Sequence, residues 1–130
     1  MSRIHREMLE TFTEESAARL TRISAELEQL ETDQILDMEI VHALFRETHS
    51  LKGAANLVGI KAVERIASKL EDILEQLRNE LEQIDEELIS ILNAGYQRIS
   101  DLLDNPQILQ LVDGEREAEN IERLITRRMT

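Results

Sequence analysis

Residues 38–58 read MEIVHALFRETHSLKGAANLV and carry the clearest structural pattern in the chain. Their apolar residues recur three, four or seven positions apart, which places them on one face of an α-helix at about 100° per residue. These residues are Ile40, Leu44, Leu51, Ala55 and Val58. Asp37 precedes the segment as a typical N-cap, and Gly59 follows it as a typical C-terminal stop. The segment therefore predicts an amphipathic helix whose apolar face other helices must cover.

Four more segments show the same helical periodicity. They cover about 2–31, 61–81, 85–103 and 115–129. Residues 107–114 are expected to form a loop or a short turn of helix. Short connections favour antiparallel neighbours, so the sequence predicts an all-α fold, an up-down antiparallel four-helix bundle with an additional C-terminal fifth helix. We expect one domain over 1–130. A long coiled coil is the competing architecture, and the breakers between the helices favour the compact bundle.

The predicted core follows from the apolar stripes of these helices. In the first, third and fourth helices the stripes are Leu9, Phe12, Leu20, Ile23, Leu27 and Leu30; Val63, Ile66, Ala67, Leu70, Ile73, Leu74 and Leu77; and Leu88, Ile91, Leu92, Ile99 and Leu102. In the C-terminal helix the stripe is Ala118, Ile121, Leu124 and Ile125.

Composition agrees with an all-α protein and limits its function. The chain is 42% hydrophobic and 32% charged, and with one proline and four glycines it has few helix breakers. The sequence contains no cysteine, which excludes disulfides, thiolate metal sites and cysteine nucleophiles. A formal net charge of −12 disfavours nucleic acid and anionic membranes as partners. No apolar run resembles a signal peptide or a membrane span, so we expect a cytoplasmic protein.

His49 lies on the polar side of the predicted second helix, and Lys52, Gly53, Asn56 and Arg46 share that side. A neutral imidazole is a competent nucleophile near neutral pH. Lys52, one turn on, can bring positive charge to phosphoryl oxygens, and Gly53 leaves clearance for a partner protein. Arg46 and Asn56 are candidate surface contacts. The set favours phosphoryl transfer to His49, a reaction that depends mostly on positioning and charge.

An exposed imidazole also needs a partner for its second ring nitrogen, because that contact fixes the tautomer. Glu71 is the candidate. The helical wheel places it at the edge of the buried face of the third helix, where a side chain can reach a neighbouring helix.

Residues 45–55, FRETHSLKGAA, resemble the phosphorylation motif of histidine phosphotransfer domains, and more narrowly the N-terminal domain of chemotaxis-type histidine kinases. Gly59 matches a later glycine of that pattern, and residues 67–71, ASKLE, match its alanine and glutamate. The similarity is strong over about 45–78. One departure is Ser68, which stands where the family has a second histidine, so any tuning of the acceptor by that neighbour is altered.

The resemblance implies that the catalytic domain of a histidine kinase phosphorylates His49, which then passes the group to an aspartate of a response-regulator receiver domain. It also implies that Glu71 bonds to His49 and that Lys52 assists transfer. ATP and Mg would sit on the kinase domain. This chain has no glycine-rich phosphate loop, so we expect it to hold no cofactor and to be non-catalytic by itself. We expect a monomeric domain that forms the N-terminal part of a larger kinase.

Two other functional hypotheses remain open. One is a free-standing phosphorelay shuttle with the same chemistry. The other is a structural helical adaptor, which leaves the lysine and the glycine beside His49 unexplained.

His42 shares the face of His49 two turns earlier. Two turns span about 10.5 Å, too far for both rings to bind one ion without a third element. Glu39 and His42 match the Glu-x-x-His element of di-iron bundles, but the second copy that such sites need is missing. We therefore expect no metal site and a solvated His42.

Overall fold

The computed structural model describes residues 3–32, 37–79 and 84–129, which form six helices and no strand. The helices are α1 (Arg3–Thr32), α2 (Met38–Val58), α3 (Lys61–Arg78), α4 (Glu86–Leu103), α5 (Pro106–Leu111) and α6 (Glu115–Met129). Helices α1 to α4 form the predicted up-down bundle, since α1 packs on α2, α2 on α3, α3 on α4 and α4 on α1. The predicted C-terminal helix is α6, which packs against α3 and α4.

Local end signals set the bounds of the two best-predicted helices. Asp37 accepts a hydrogen bond from the Glu39 N–H at 2.9 Å, and Gly59 closes α2 with a left-handed φ of 76°. Helix α2 therefore has the bounds that the sequence predicts. Asp85 caps α4 by accepting from the Leu88 N–H at 2.9 Å, so the regular helix begins one residue later than expected.

Two further boundaries differ from the prediction. Helix α3 ends at Arg78, where the Asn79 N–H bonds to the Glu75 carbonyl at 3.0 Å. Leu81, the predicted end, lies outside the described residues. Helix α5 lies in the segment expected to be a loop or a short turn of helix, so the second alternative is the observed one, and it starts one residue earlier than expected. It begins at Pro106, whose fixed φ and missing N–H suit the first position of a helix.

The core lies between the four bundle helices and is centred on α3. The buried residues of α3 are Ala62, Val63, Ile66, Ala67, Leu70, Ile73, Leu74 and Leu77, which confirms its predicted stripe. The stripes of α1, α2 and α4 are buried as well, except that Leu20 and Val58 are only partly covered. On α6 the prediction for Leu124 is wrong: it is 37% exposed, because α6 touches the bundle along a narrower face than the wheel suggests.

A polar contact crosses the core at Thr48, the residue that precedes His49 on α2. Thr48 and Tyr96 are both buried, and their hydroxyls hydrogen-bond at 2.5 Å. The Thr48 hydroxyl also reaches the Leu44 carbonyl at 2.7 Å. Because buried polar groups must find partners, this pair ties α2 to α4 in a defined register.

Within the described part of the chain, no helix combines the length and the apolar character needed to cross a lipid bilayer.

Candidate functional site

The candidate site lies where α2 and α3 pack side by side. Gly59 and Ile60 turn the chain sharply from one helix to the other, and the Ile60 N–H bonds back to the Ala55 carbonyl at 2.9 Å. Leu51, close to His49 in α2, is fully buried. The side chain of His49 points the other way and is 65% exposed. A protein partner can therefore reach its ring from solvent.

Glu71 of α3 joins two of the predicted site residues. Its Oε2 lies 2.7 Å from Nδ1 of His49, and its Oε1 accepts a hydrogen bond from Nζ of Lys52 at 3.0 Å. The Glu71 side chain is only 15% exposed. The structure thus brings His49, Lys52 and Glu71 into one cluster across the α2–α3 interface.

The ionisation state of Glu71 follows from these contacts. Burial opposes ionisation, but the hydrogen bonds and charges of Lys52 and His49 outweigh it and hold the Glu71 pKa below the ordinary value. Near neutral pH the carboxyl is therefore an anion, which can only accept hydrogen bonds. Nδ1 of His49 must then carry a proton, and in the neutral ring this leaves the lone pair on Nε2 facing solvent.

Lys52 contacts Glu71 and remains able to contact another group. Its side chain is 31% exposed. An ammonium has three donors, so one can bind the carboxylate while the others remain available to a second acceptor. The contact between Lys52 and Glu71 was not predicted from the sequence, which indicated only that Lys52 can lie beside the phosphoryl oxygens.

The remaining predicted residues surround the cluster on α2. A Cβ built on Gly53 would meet nothing within 4 Å, so the surface there is open. Asn56 donates from Nδ2 to Oε1 of Glu64 on α3 at 3.1 Å, which orients its amide along the interface. Arg46 is exposed. Among the described residues, no group of three or more His, Asp and Glu side chains is arranged to hold a metal ion.

Ser68 lies one turn before Glu71 on α3 and is partly buried. It lines a groove between α3 and α6 together with Lys69 and Glu122, which form an ion pair at 2.9 Å. In this chain, the position of the second family histidine thus borders the C-terminal helix.

Sequence reasoning missed an aromatic contact at the site. The Phe45 ring lies one turn before His49 and stacks on it, with ring centroids 6.1 Å apart and planes 7° from parallel. The guanidinium carbon of Arg78, in the last turn of α3, lies 4.0 Å from the centre of the Phe45 ring. The i, i+4 spacing of Phe45 and His49 was the available signal.

Residues 7–105 match the protein family described as the Hpt domain. The chain is 31% identical over 100 residues to the Chemotaxis protein CheA of Listeria monocytogenes, which is 77% of this chain and 16% of that protein. It is 26% identical over 113 residues to the Chemotaxis protein CheA of Bacillus subtilis, covering 87% of this chain and again 16% of the relative. The chain thus spans about a sixth of the length of these curated relatives.

A solved structure shares the fold. It is the phosphorylated P1 domain of CheA3 in complex with CheY6 from R. sphaeroides. The two folds superpose with a TM-score of 0.77, covering 93% of this chain and 94% of that chain, at 22% sequence identity.

Proposed function

Because the chain belongs to the Hpt domain family, we propose that it is a phosphoacceptor and phosphotransfer domain of two-component signalling in which His49 carries the phosphoryl group. The observation that supports this most strongly is the exposed His49 ring with Nδ1 held 2.7 Å from the Glu71 carboxylate. That contact leaves Nε2 as the nucleophile on the solvent side.

The first transfer needs only groups that these residues supply and ATP on a separate kinase domain. The Nε2 lone pair attacks the γ-phosphorus, the phosphorus–oxygen bond to ADP breaks, and ADP leaves with the bonding electrons. The His49 ring becomes a cation that keeps its Nδ1 proton, and the Glu71 carboxylate stabilises it. Lys52 stabilises the negative charge of the phosphoryl oxygens.

The second transfer removes the positive charge from the ring. A carboxylate of a response-regulator aspartate attacks the phosphorus, the nitrogen–phosphorus bond breaks, and its electrons return to Nε2. The product is an aspartyl phosphate on the regulator and a neutral His49 that still donates from Nδ1 to Glu71. No proton has to leave the ring in either direction.

An open, apolar groove between α1 and α2, one to two turns along α2 from His49, is a surface on which a receiver domain could dock. Gly53 has no side chain to obstruct an approaching partner, and Ala54 and Leu57 follow it on α2. Leu57 is 77% exposed and, with Met8 of α1, lines the groove between α1 and α2. Exposed apolar residues of this size are typical of sites that bind other proteins.

We propose further that this domain is non-catalytic by itself and belongs to a larger cytoplasmic histidine kinase of the chemotaxis type. The support is the similarity to CheA proteins, of whose length the chain spans 16%. ATP and Mg would be held by the kinase catalytic domain, and the domain itself would be monomeric. A free-standing shuttle with the same His49 chemistry is the alternative proposal.

The acceptor assignment is tested with phosphoramidate, a small phosphoryl donor that needs no kinase. We expect one acid-labile, base-stable phosphoryl group on the chain and its loss in His49→Gln. His42→Gln is the matched control, on the same face of α2, and should be labelled like the parent. A His49→Gln chain that is labelled at the parent rate would contradict the proposal.

A further inference from the structure

The Glu71 contact alone does not fix the orientation of the His49 ring. One hydrogen bond to Nδ1 sets the tautomer and restrains the distance of that nitrogen from Glu71. It does not by itself fix both side-chain torsions, χ1 and χ2, so the ring plane can still tilt while the contact is kept. A ring that is 65% exposed has few neighbours to stop this motion. Transfer rates depend on the direction in which the attacking lone pair points, so the ring plane matters.

Phe45 supplies the missing restraint. Its ring is parallel to that of His49 within 7° at a centroid separation of 6.1 Å, the geometry of an offset stack. Phe45 is partly buried and packs against the hydrophobic core, so it cannot readily follow a rotating imidazole.

Arg78 restrains Phe45 in turn. Its guanidinium carbon lies 4.0 Å from the Phe45 ring centre, a cation–π distance, and one of its nitrogens bonds to Oε2 of Glu75 at 2.7 Å. Arg78 comes from the last turn of α3, the helix that also carries Glu71. Helix α3 therefore contributes to both restraints on the histidine, one direct and one through Phe45.

We propose that Phe45 is a positioning residue that sets the plane of the His49 ring for phosphoryl transfer, and that Arg78 holds Phe45 in place. The inference rests on the proposed function of His49. It assigns no chemical step to either residue. Glu71 fixes the tautomer, Phe45 fixes the plane, and together they aim Nε2 in one direction.

The test compares Phe45→Leu with Phe45→Tyr, each as a single substitution in the full 130-residue chain. Leucine keeps apolar packing but removes the flat face, whereas tyrosine keeps that face. We expect phosphorylation of His49 by phosphoramidate to slow about three- to tenfold in Phe45→Leu and to return to the parent rate in Phe45→Tyr. The Nδ1-protonated tautomer should persist in both, because Glu71 is untouched.

Phe12→Leu is the matched control. Phe12 is the other of the two phenylalanines in the chain, and it is a core residue of α1 that is 4% exposed. It should lower the unfolding temperature and leave the phosphorylation rate of the folded chain unchanged. Arg78→Met should slow the reaction in the same direction as Phe45→Leu but less, while Arg98→Met, which removes a paired arginine on α4, should not slow it.

NMR coupling constants and proton contacts of the His49 ring give a readout that needs no phosphorylation. We expect a single side-chain rotamer in the parent and averaging between rotamers in Phe45→Leu. If Phe45→Leu keeps the parent rate and a fixed His49 rotamer, the inference is overturned and the proposed function stands. The same holds if Phe12→Leu slows phosphorylation as much as Phe45→Leu does. A parent chain that is never labelled on His49 would overturn the proposed function and this inference with it.

Discussion

At the scale of single residues, the Glu71 carboxylate has two effects on His49. In the chain as described it accepts a hydrogen bond from Nδ1 at 2.7 Å and so keeps the lone pair on Nε2. After the proposed transfer to Nε2 it would face a cationic ring, which an anion at hydrogen-bond distance would stabilise. Lys52 holds the same carboxylate at 3.0 Å and helps to keep it ionised. In the proposed reaction, one side chain on α3 thus supports both the nucleophile and its product.

Replacing Glu71 should separate these two effects. Glu71→Gln keeps an oxygen acceptor and loses the charge, so the Nδ1-protonated tautomer should largely persist while phosphorylation slows. Glu71→Ala loses both, so the ring should shift towards the Nε2-protonated tautomer and the rate should fall further, by about tenfold or more. Nitrogen chemical shifts of the His49 ring and the phosphoramidate rate measure the two effects.

Glu64→Gln is the control for that prediction, since Glu64 lies on the same helix and bonds to Asn56 of α2 instead of His49. It should leave both the tautomer and the rate unchanged. A Glu71→Ala chain with the parent tautomer and the parent rate would show that the contact has no effect on the acceptor.

The site was predictable from sequence as far as backbone geometry determines it. The wheel of α2 placed His49, Lys52 and Gly53 on the outer side, and the edge position of Glu71 allowed it to reach across. The Phe45 stack and the Arg78 contact depend on side-chain rotamers and on the relative register of α2 and α3, which periodicity does not specify. The double contact of Glu71 was missed for the same reason.

At the scale of the helices, glycines mark two different requirements. Gly53 sits in the exposed middle of α2, where a Cβ would meet nothing within 4 Å. Gly114 precedes α6 with φ of 78°, and a Cβ there would lie 2.6 Å from the Ala62 carbonyl oxygen. The first glycine is replaceable as far as folding is concerned, whereas the second allows α6 to begin close against the start of α3.

The two glycines should therefore respond oppositely to alanine. Gly53→Ala should raise the free energy of unfolding by about 0.5–1 kcal/mol, the usual gain in an exposed helix. Gly114→Ala should lower it by at least about 1–2 kcal/mol, the cost of a left-handed conformation for a residue with a Cβ, and the clash adds to this. Urea denaturation of both variants measures the difference. Equal stability changes of the same sign would contradict this account of the two positions.

Helix bounds were predictable where a residue ends the helix by its own chemistry. Asp37 and Gly59 at the ends of α2 are such residues, and the prediction for α2 is confirmed. For helix α5 the sequence left two alternatives open, a loop or a short turn of helix, because six residues are too few to show a period. Leu124 falls on the apolar stripe of α6, yet the angle at which α6 meets the bundle leaves it 37% exposed.

At the scale of the whole molecule, α6 is part of the bundle's hydrophobic structure although the family match ends at residue 105. Ala118, Ile121 and Ile125 are buried against the bundle. Ion pairs surround this contact, with Lys69 to Glu122 at 2.9 Å and Arg98 to Glu117 at 3.2 Å. Exposed pairs add little each, so burial of the isoleucines is the main attraction.

Ile121→Ala should lower the stability of the entire bundle and not only that of α6. We expect a loss of about 2–3 kcal/mol in a single cooperative transition, because Ile121 is 7% exposed and lies at the margin of the core. Leu124→Ala removes similar volume from a more exposed position and should cost less than about 1 kcal/mol. Two separate unfolding transitions in Ile121→Ala, one for α6 and one for the bundle, would contradict the claim that α6 and the bundle unfold as one cooperative unit.

The most direct test of the account is to locate the phosphoryl group on the ring. The chain has three histidines, so the double variant His5→Gln, His42→Gln leaves His49 as the one histidine to observe. Long-range proton–nitrogen NMR spectra before and after treatment with phosphoramidate then distinguish its two ring nitrogens. We predict phosphorus on Nε2 and a retained proton on Nδ1. Phosphorus on Nδ1, the nitrogen that Glu71 holds, or an unmodified His49 would contradict this prediction.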